Sequence, residues 1–228
     1  MAEVLAIDIG GSHVKVRIKS DPEKRRFESG PDLTASQMVE GVKAIIKDWD
    51  IDRVSMGVPA PIRDNTAMID PVNLGDGWKG FDFTDAFGVP TKVTNDAAMQ
   101  AIGSYDGGSM LFMGLGTGLG TCLINKYVVQ PTEIAHMPFR RNSTFEDAVG
   151  EAALEKHGKK SWREVVLEVC EVLYRGLLPD YIVLGGGNVK KFKEDFKLPD
   201  YCRRGENENA FLGGFRMWED AWKDSLPG

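Results

Sequence analysis

The sequence predicts an α/β protein, and three observations point that way. Apolar runs of strand length alternate with stretches whose apolar residues recur at helical spacing. Glycine clusters at 10–11, 114–120 and 185–187 each close an apolar run. The strand–glycine turn–strand layout of residues 4–19 returns about a hundred residues later, at 110–125, as an internal duplication would leave it.

Taken in order, Val4–Ile9 reads as a buried strand ended by Gly10-Gly11, and Val14, Val16 and Ile18 alternate with Lys15, Arg17 and Lys19 as a half-exposed partner, giving a hairpin. Thr34-x-x-Gln37 is a capping-box signal, and Met38, Val42, Ile45, Ile46 and Trp49 follow at helical spacing. Arg53–Val58 is a strand closed by Pro59-Ala-Pro61. Residues 62–90, rich in Gly, Asp, Asn and Pro, read as loop. A short strand (91–94) and helix (96–102) come next, then strands at 110–115 and 121–125 around Gly116-Thr-Gly-Leu-Gly120. Ser161–Leu178 is a helix with Trp162, Val165, Val166, Val169, Val172 and Leu173 on one stripe. Tyr181–Leu184 is a strand, and Phe211–Trp222 a final amphipathic helix.

A chain of 228 residues allows one large domain or two small ones, and 42% apolar with 27% charged residues is globular, not disordered. The net charge is −6, with −5 in residues 1–108 and −1 in 109–228, which argues against nucleic acid as a partner and puts any basic surface in the second half. The three cysteines, Cys122, Cys170 and Cys202, form no CxxC or Cys/His cluster, so neither a disulfide framework nor a zinc site is expected. The opening MAEVLAIDIGG has too short an apolar run for a signal peptide, and no run approaches a membrane span. The expectation is a cytoplasmic protein without a membrane partner.

Glycine at a strand end lets backbone N–H groups approach an anion without a Cβ in the way. Each cluster alone reads more readily as a tight turn. Together, with the Ser12 and Thr117 hydroxyls, they favour a polyphosphate cradle. Spacing excludes the two common phosphate loops at these clusters: the glycines at 114, 116, 118 and 120 never place one at the third position of G-x-G-x-x-G, and the Gly158-Lys159 pair has Ala at position 153 where the P-loop needs Gly. That leaves a pair of hairpin phosphate loops facing each other across a cleft.

Here the chain resembles a known superfamily. Ile7-Asp-Ile-Gly-Gly-Ser12 is similar to the first phosphate motif of the sugar kinase/Hsp70/actin superfamily, Leu115-Gly-Thr-Gly-Leu-Gly120 to its second, and Val183-Leu-Gly-Gly-Gly-Asn188 to its nucleotide-base motif. Gly57-Val-Pro-Ala-Pro61, Val72-Asn-Leu74, Asn95-Asp96 and Glu133-Ile-Ala-His136 resemble the ROK family (repressors, open reading frames and kinases). Gly158-Lys-Lys-Ser-Trp-Arg163 and Leu212-Gly-Gly-Phe-Arg-Met-Trp218 resemble the tail of its polyphosphate glucokinases. The resemblance implies a two-lobed, actin-like, ribonuclease H-like sugar kinase fold with a cleft between lobes. The lobes would be residues 1–105 and 106–228, and the last helix (211–222) could pack back on the first lobe.

It also implies roles. A base must accept the proton of the attacking sugar hydroxyl, and the resemblance gives this to Asp96. Spacing alone equally allows Asn95-Asp96 to cap the next helix. Asn73, Asn95, Asp96, Glu133, His136 and Glu146 would bind the sugar, although the family usually has Gly where Ala135 stands. Asp8, Gly10, Gly11, Ser12, Lys15, Gly116, Thr117, Gly118, Gly185, Gly186, Gly187 and Asn188 would hold donor phosphates or nucleotide. Asp8 would serve Mg²⁺, through water, or else accept the N–H groups of its turn. Residues 137–160 lack the cysteines of the family's zinc motif, and the first phosphate strand begins at residue 4 without a preceding helix-turn-helix, so neither zinc nor DNA binding is implied.

The implied activity is phosphorylation of a hexose, glucose first, by polyphosphate or ATP or both. Other hexoses (mannose, N-acetylhexosamine, fructose), a non-catalytic sugar sensor and an Hsp70-like ATPase are the alternatives. Lys156, His157, Lys159, Lys160 and Arg163 form a basic cluster that a long polyanion would need, or that is simply a solvated face. Phe215, Trp218 and Trp222 suit a core or a homodimer interface equally.

Overall fold

The computed structural model describes residues 2–193, 196–206, 208–223 and 225–226. They divide into two compact units: unit 1 comprises residues up to Gly103 and again from Glu208, and unit 2 comprises Ser104–Asn207.

Unit 1 is built on a five-stranded sheet in the order β3-β2-β1-β4-β7. Strands β1 (Val4–Ile9) and β2 (His13–Ile18) form the expected hairpin, with Asp8 opposite Lys15. Strand β3 (Arg25–Glu28) continues antiparallel, while β4 (Arg53–Val58) and β7 (Thr91–Asn95) run parallel to β1. Burial on both faces explains why β1 and β4 read as unbroken apolar runs. Helix α1 (Ala35–Ile45) begins with the predicted capping box: Thr34 Oγ1 accepts from Gln37 N–H, and the Gln37 side chain accepts from Thr34 N–H. Trp49 lies beyond its end.

Residues 62–90 are more ordered than their composition suggests. They hold a small hairpin, β5 (Ile62–Arg63) with β6 (Thr66–Ala67), and the short helix α2 (Phe83–Phe87). Trp78, wholly buried, anchors the segment by donating from Nε1 to the Leu33 carbonyl at 3.1 Å. The Asp70 carboxylate accepts from the N–H groups of Trp78 and Lys79, and these bonds hold it below the usual carboxylate range. Helix α3 (Asp96–Ser104) follows β7 directly.

Unit 2 repeats the plan. Its sheet has the order β10-β9-β8-β13-β14. Strands β8 (Ser109–Leu115), β9 (Leu119–Asn125) and β10 (Val128–Thr132) are antiparallel in succession, and β13 (Tyr181–Gly185) and β14 (Cys202–Arg204) run parallel to β8. Strand order and directions match those of unit 1, so the repeat visible around the glycine turns extends to whole sheets. Between β10 and β13 lie the hairpin β11 (Pro138–Arg140) with β12 (Ser143–Thr144), helix α4 (Phe145–Val149) and the long helix α5 (Glu151–Leu177).

Helix α5 starts ten residues earlier than periodicity predicts and is interrupted at Gly158 (φ 76°, ψ 162°). On its expected stripe, Val172 is exposed instead of buried. The final helix is also shorter than predicted: α6 (Asn209–Arg216) ends before a separate 3-10 turn at Asp220–Trp222. It belongs to unit 1, where Phe211 and Phe215 bury against Val4 and Ala6. Among the described residues no helix is long and apolar enough to cross a membrane.

Candidate functional site

In unit 1 the parallel strands β1, β4 and β7 end side by side, and their carboxyl ends carry the quoted motifs. This is the edge at which open α/β sheets place ligands. Asp8 pairs in register with Gly57, and Gly57 with Thr94, so Asp8 and Asp96 flank the end of β4. With strands about 4.8 Å apart, the two outer strands are separated by about 10 Å.

Asn95 and Asp96 take different tasks. The Asn95 side-chain oxygen accepts from Ala97 N–H at 3.0 Å and Ala98 N–H at 3.3 Å, so Asn95 is the residue that caps α3. Its amide nitrogen donates to the Ala60 carbonyl at 3.3 Å, tying β7 to the Pro59-Ala-Pro61 turn. With its oxygen committed, Asn95 keeps one amide hydrogen for a ligand. Asp96, half-buried, is the first helical residue. Beneath it stands Gly57, where a Cβ would lie 3.0 Å from the Asp96 Cα and 3.0 Å from Met99 Cε.

The first glycine turn lies at the same edge. Gly10 N–H donates to the His13 carbonyl, and the Ser29 hydroxyl donates to the Gly10 carbonyl at 2.6 Å. Ser29 N–H also bonds the Ser12 carbonyl, so β3 braces the loop. Gly11 approaches Asn73, whose Cβ lies 3.6 Å from where a Gly11 Cβ would be; Asn73 itself is exposed. The Lys15 ammonium sits 3.4 Å from the Asp8 carboxylate, which is 17% exposed.

In unit 2 the second glycine turn is held from below by α4 and α5. The Glu146 carboxylate accepts from Leu119 N–H at 3.0 Å and packs against Gly118. Glu151 N–H donates to the Thr117 carbonyl, and a side chain at Gly150 would press on that same carbonyl. Asn188 is buried, and its amide donates to the Gly116 carbonyl at 3.2 Å. Gly186, at φ 80°, comes so close to the Leu115 backbone that no Cβ fits. Gly116, Thr117, Gly118, Glu146, Gly185, Gly186, Gly187 and Asn188 therefore form one constellation, in which Glu146 supports the turn. Glu133 and His136 lie apart from these contacts, on an exposed 3-10 turn (Ile134–His136). Their side chains, 59% and 68% exposed, pair at 3.4 Å, while Ile134 and Ala135 bury in the unit 2 core with Phe145.

Sequence reasoning missed three supports. Gly57 was quoted for its motif, yet nothing local shows that it lies under Asp96. Ser29 follows a strand hidden by its charged residues, Arg25, Arg26 and Glu28. Gly150 carries a readable signal only in hindsight, as a lone glycine between two helical stretches.

No group of three or more His, Cys, Asp or Glu residues that could enclose a metal occurs among the described residues. Mg²⁺ seldom needs one, because it keeps waters and binds through one or two carboxylates plus substrate phosphates. Asp8, partly exposed beside the first glycine turn, fits that arrangement.

A profile of the ROK family matches residues 4–143. Comparison with curated proteins returns no match. Among solved structures, the chain is similar to an inorganic polyphosphate/ATP-glucomannokinase from Arthrobacter sp. strain KM, at 21% identity and a TM-score of 0.77 over 93% of this chain and 96% of that one. It is similar to a ROK family glucokinase from Streptomyces griseus in complex with glucose and AMPPNP, at 15% identity and TM-score 0.70 over 92% and 97%. A ROK family transcriptional regulator, described as a homolog of the E. coli MLC protein, also matches, at 11% identity and TM-score 0.74 over 98% and 79%. At these identities the structures speak for the fold alone. The duplicated sheet order, the paired glycine turns and the profile match agree: the chain belongs to the ROK family.

Proposed function

We propose that the protein is a sugar kinase that transfers a phosphoryl group from ATP, polyphosphate or both to the 6-hydroxyl of glucose. The observation that carries this reading is the division of labour at the end of β7: Asn95 caps α3, and Asp96 stands over Gly57 at the same carboxyl edge of the sheet that carries the Gly10–Ser12 turn.

Asp96 accepts the proton of the 6-hydroxyl as its oxygen attacks the terminal phosphorus. The new C–O–P linkage forms while the bridging P–O bond breaks, and ADP or a shortened polyphosphate leaves. Such a base contributes about 10²–10⁴-fold, and positioning with charge neutralisation supplies most of the remainder. Asn73 and the remaining Asn95 amide hydrogen orient sugar hydroxyls, as do Glu133 and His136. Backbone N–H groups at Gly10–Ser12 and Gly116–Gly118 receive donor phosphates, Lys15 adds charge, and Gly185–Asn188 takes the nucleotide. Asp8 would hold Mg²⁺, through water, and the ion would supply charge neutralisation for the phosphoryl group.

A matrix of hexoses against ATP and polyphosphate, followed by sugar phosphate formation, tests this reading. Glucose-dependent turnover that disappears in Asp96→Asn is the expected result. Donor hydrolysis indifferent to any sugar would indicate an ATPase. Sugar binding without turnover would indicate the sensor that the regulator-like neighbour makes the second reading.

A further inference from the structure

The two glycine turns share a contact that their motifs do not record. Gly10 is the first residue after β1, and Gly116 the first after β8, in sheets of matching strand order. In each turn the carbonyl of that glycine accepts a hydrogen bond from a distant side chain: Ser29 Oγ donates to Gly10 at 2.6 Å, and Asn188 Nδ2 to Gly116 at 3.2 Å. Ser29 follows β3, whose counterpart in the second sheet is β10, whereas Asn188 follows β13, whose counterpart in the first is β4. The same contact is reached from elements that do not correspond, so it is not a by-product of the repeated strand plan.

In the first turn the geometry shows what the contact does. A planar trans peptide points its C=O and its N–H in opposite directions. The Ser29 hydroxyl holds the Gly10 carbonyl towards the end of β3 and thereby sends the Gly11 N–H the other way. Gly10 N–H on the His13 carbonyl at 3.0 Å and Ser29 N–H on the Ser12 carbonyl at 3.1 Å fix the two ends of the turn. Between them the Gly11 and Ser12 N–H groups meet no protein acceptor among the described residues, and both residues are exposed. The peptide joining Gly10 to Gly11 is the one that needs outside control, because two flanking glycines let it turn over with no Cβ to resist. Turned over, it would offer an incoming phosphate a carbonyl oxygen in place of an N–H.

We propose that Ser29 is a positioning residue for the phosphoryl donor: its hydroxyl, acting through the Gly10 carbonyl, aims the Gly11 N–H at a donor phosphate oxygen without touching the donor itself. The inference deepens the kinase reading of this turn and rests on it. Ser29 makes two separable contacts. Its backbone N–H attaches the turn to β3 whatever the side chain, and only the hydroxyl sets the Gly10–Gly11 peptide.

The test uses the full chain with Ser29→Ala and Ser29→Thr, and with tripolyphosphate and ATP as probes. Ser29→Ala should weaken equilibrium binding of both probes, measured by calorimetry, about five-fold, as the loss of one ordinary hydrogen bond does. The KM for the donor should rise with it, while kcat and the KM for glucose stay within about two-fold, the pattern of lost ground-state binding of one substrate. Ser29→Thr keeps a hydroxyl and should return donor affinity to within about two-fold of wild type. Wild-type donor affinity in Ser29→Ala would overturn the proposal. So would equal losses of donor and glucose affinity, which a merely structural role would give, or a Ser29→Thr variant that restores nothing. Probe binding that weakens in Ser29→Ala and recovers in Ser29→Thr, in a protein that phosphorylates no sugar, would uphold the role of Ser29 at the turn and overturn the kinase reading.

Discussion

Gly57 and Asp96 are in backbone contact: a methyl group at position 57 would stand 3.0 Å from the Asp96 Cα, with Met99 blocking the other side. Relief must come from the start of α3, because Gly57 is held in β4 between β1 and β7. Gly57→Ala should therefore lower kcat about ten-fold, as a displacement of a few tenths of an ångström at a catalytic group does, while KM for glucose changes far less. Steady-state kinetics on the folded variant checks this, and an unchanged kcat would detach Gly57 from the chemistry.

Asn95 and Asp96 should separate in their variants. Asp96→Asn is expected to cost about 10²–10⁴-fold in kcat with little change in thermal midpoint. Asn95→Ala removes the cap on α3 and should cost about 1 kcal/mol of stability, read by urea unfolding. Equal stability losses in both would contradict the division of tasks.

The sheet framework was largely legible because β1, β4, β8 and β13 are buried on both faces and cannot disguise themselves. Edge elements were not. The charged Arg25–Glu28 and Cys202–Arg204 hide their strands, since an edge tolerates polar side chains that a central position rejects. Residues 62–90 looked irregular because their order comes from the distant contacts of Trp78 and Asp70. At the site, motif order identified both glycine turns. The tie from Glu146 to Leu119 N–H joins residues 27 apart, and no local pattern records it.

Glycines 103 and 213 should be the least tolerant positions in unit 1. A Cβ at Gly103 would overlap the Asn209 carbonyl, and one at Gly213 the Met99 carbonyl, so α3 and α6 cross backbone to backbone. Arg216 adds hydrogen bonds to the Ile102 and Gly103 carbonyls at 2.9 and 3.0 Å. Gly213→Ala should destabilise the fold by about 3 kcal/mol or more by overpacking, visible as a lowered denaturant midpoint. A shift below about 0.5 kcal/mol, the range of ordinary surface changes, would refute the crossing.

Alkaline pH should weaken the fold before it reaches neutral groups elsewhere. Burial pushes the Cys122 thiol up to about 12, a hydrogen bond to Cys202 together with burial raises Cys170, and burial with a bond to Glu171 raises Tyr201. Unfolded, cysteine and tyrosine ionise near about 8.5 and 10. Above those values the unfolded chain releases protons that the native one keeps, so stability falls as pH rises. The denaturant midpoint should hold steady from pH 7 to about 8 and then decline towards pH 12. A level profile throughout would count against these assignments.

The excursion of the chain through Ser104–Asn207 before it returns at Glu208 has a consequence for biosynthesis. The inserted half is contiguous and can close its own core as soon as it leaves the ribosome. The flanking half must wait, with Val4 and Ala6 uncovered, until Phe211 and Phe215 have been translated. The earliest-made strand is thus among the last to be sealed, and a nascent chain stalled short of α6 would present that apolar face to chaperones.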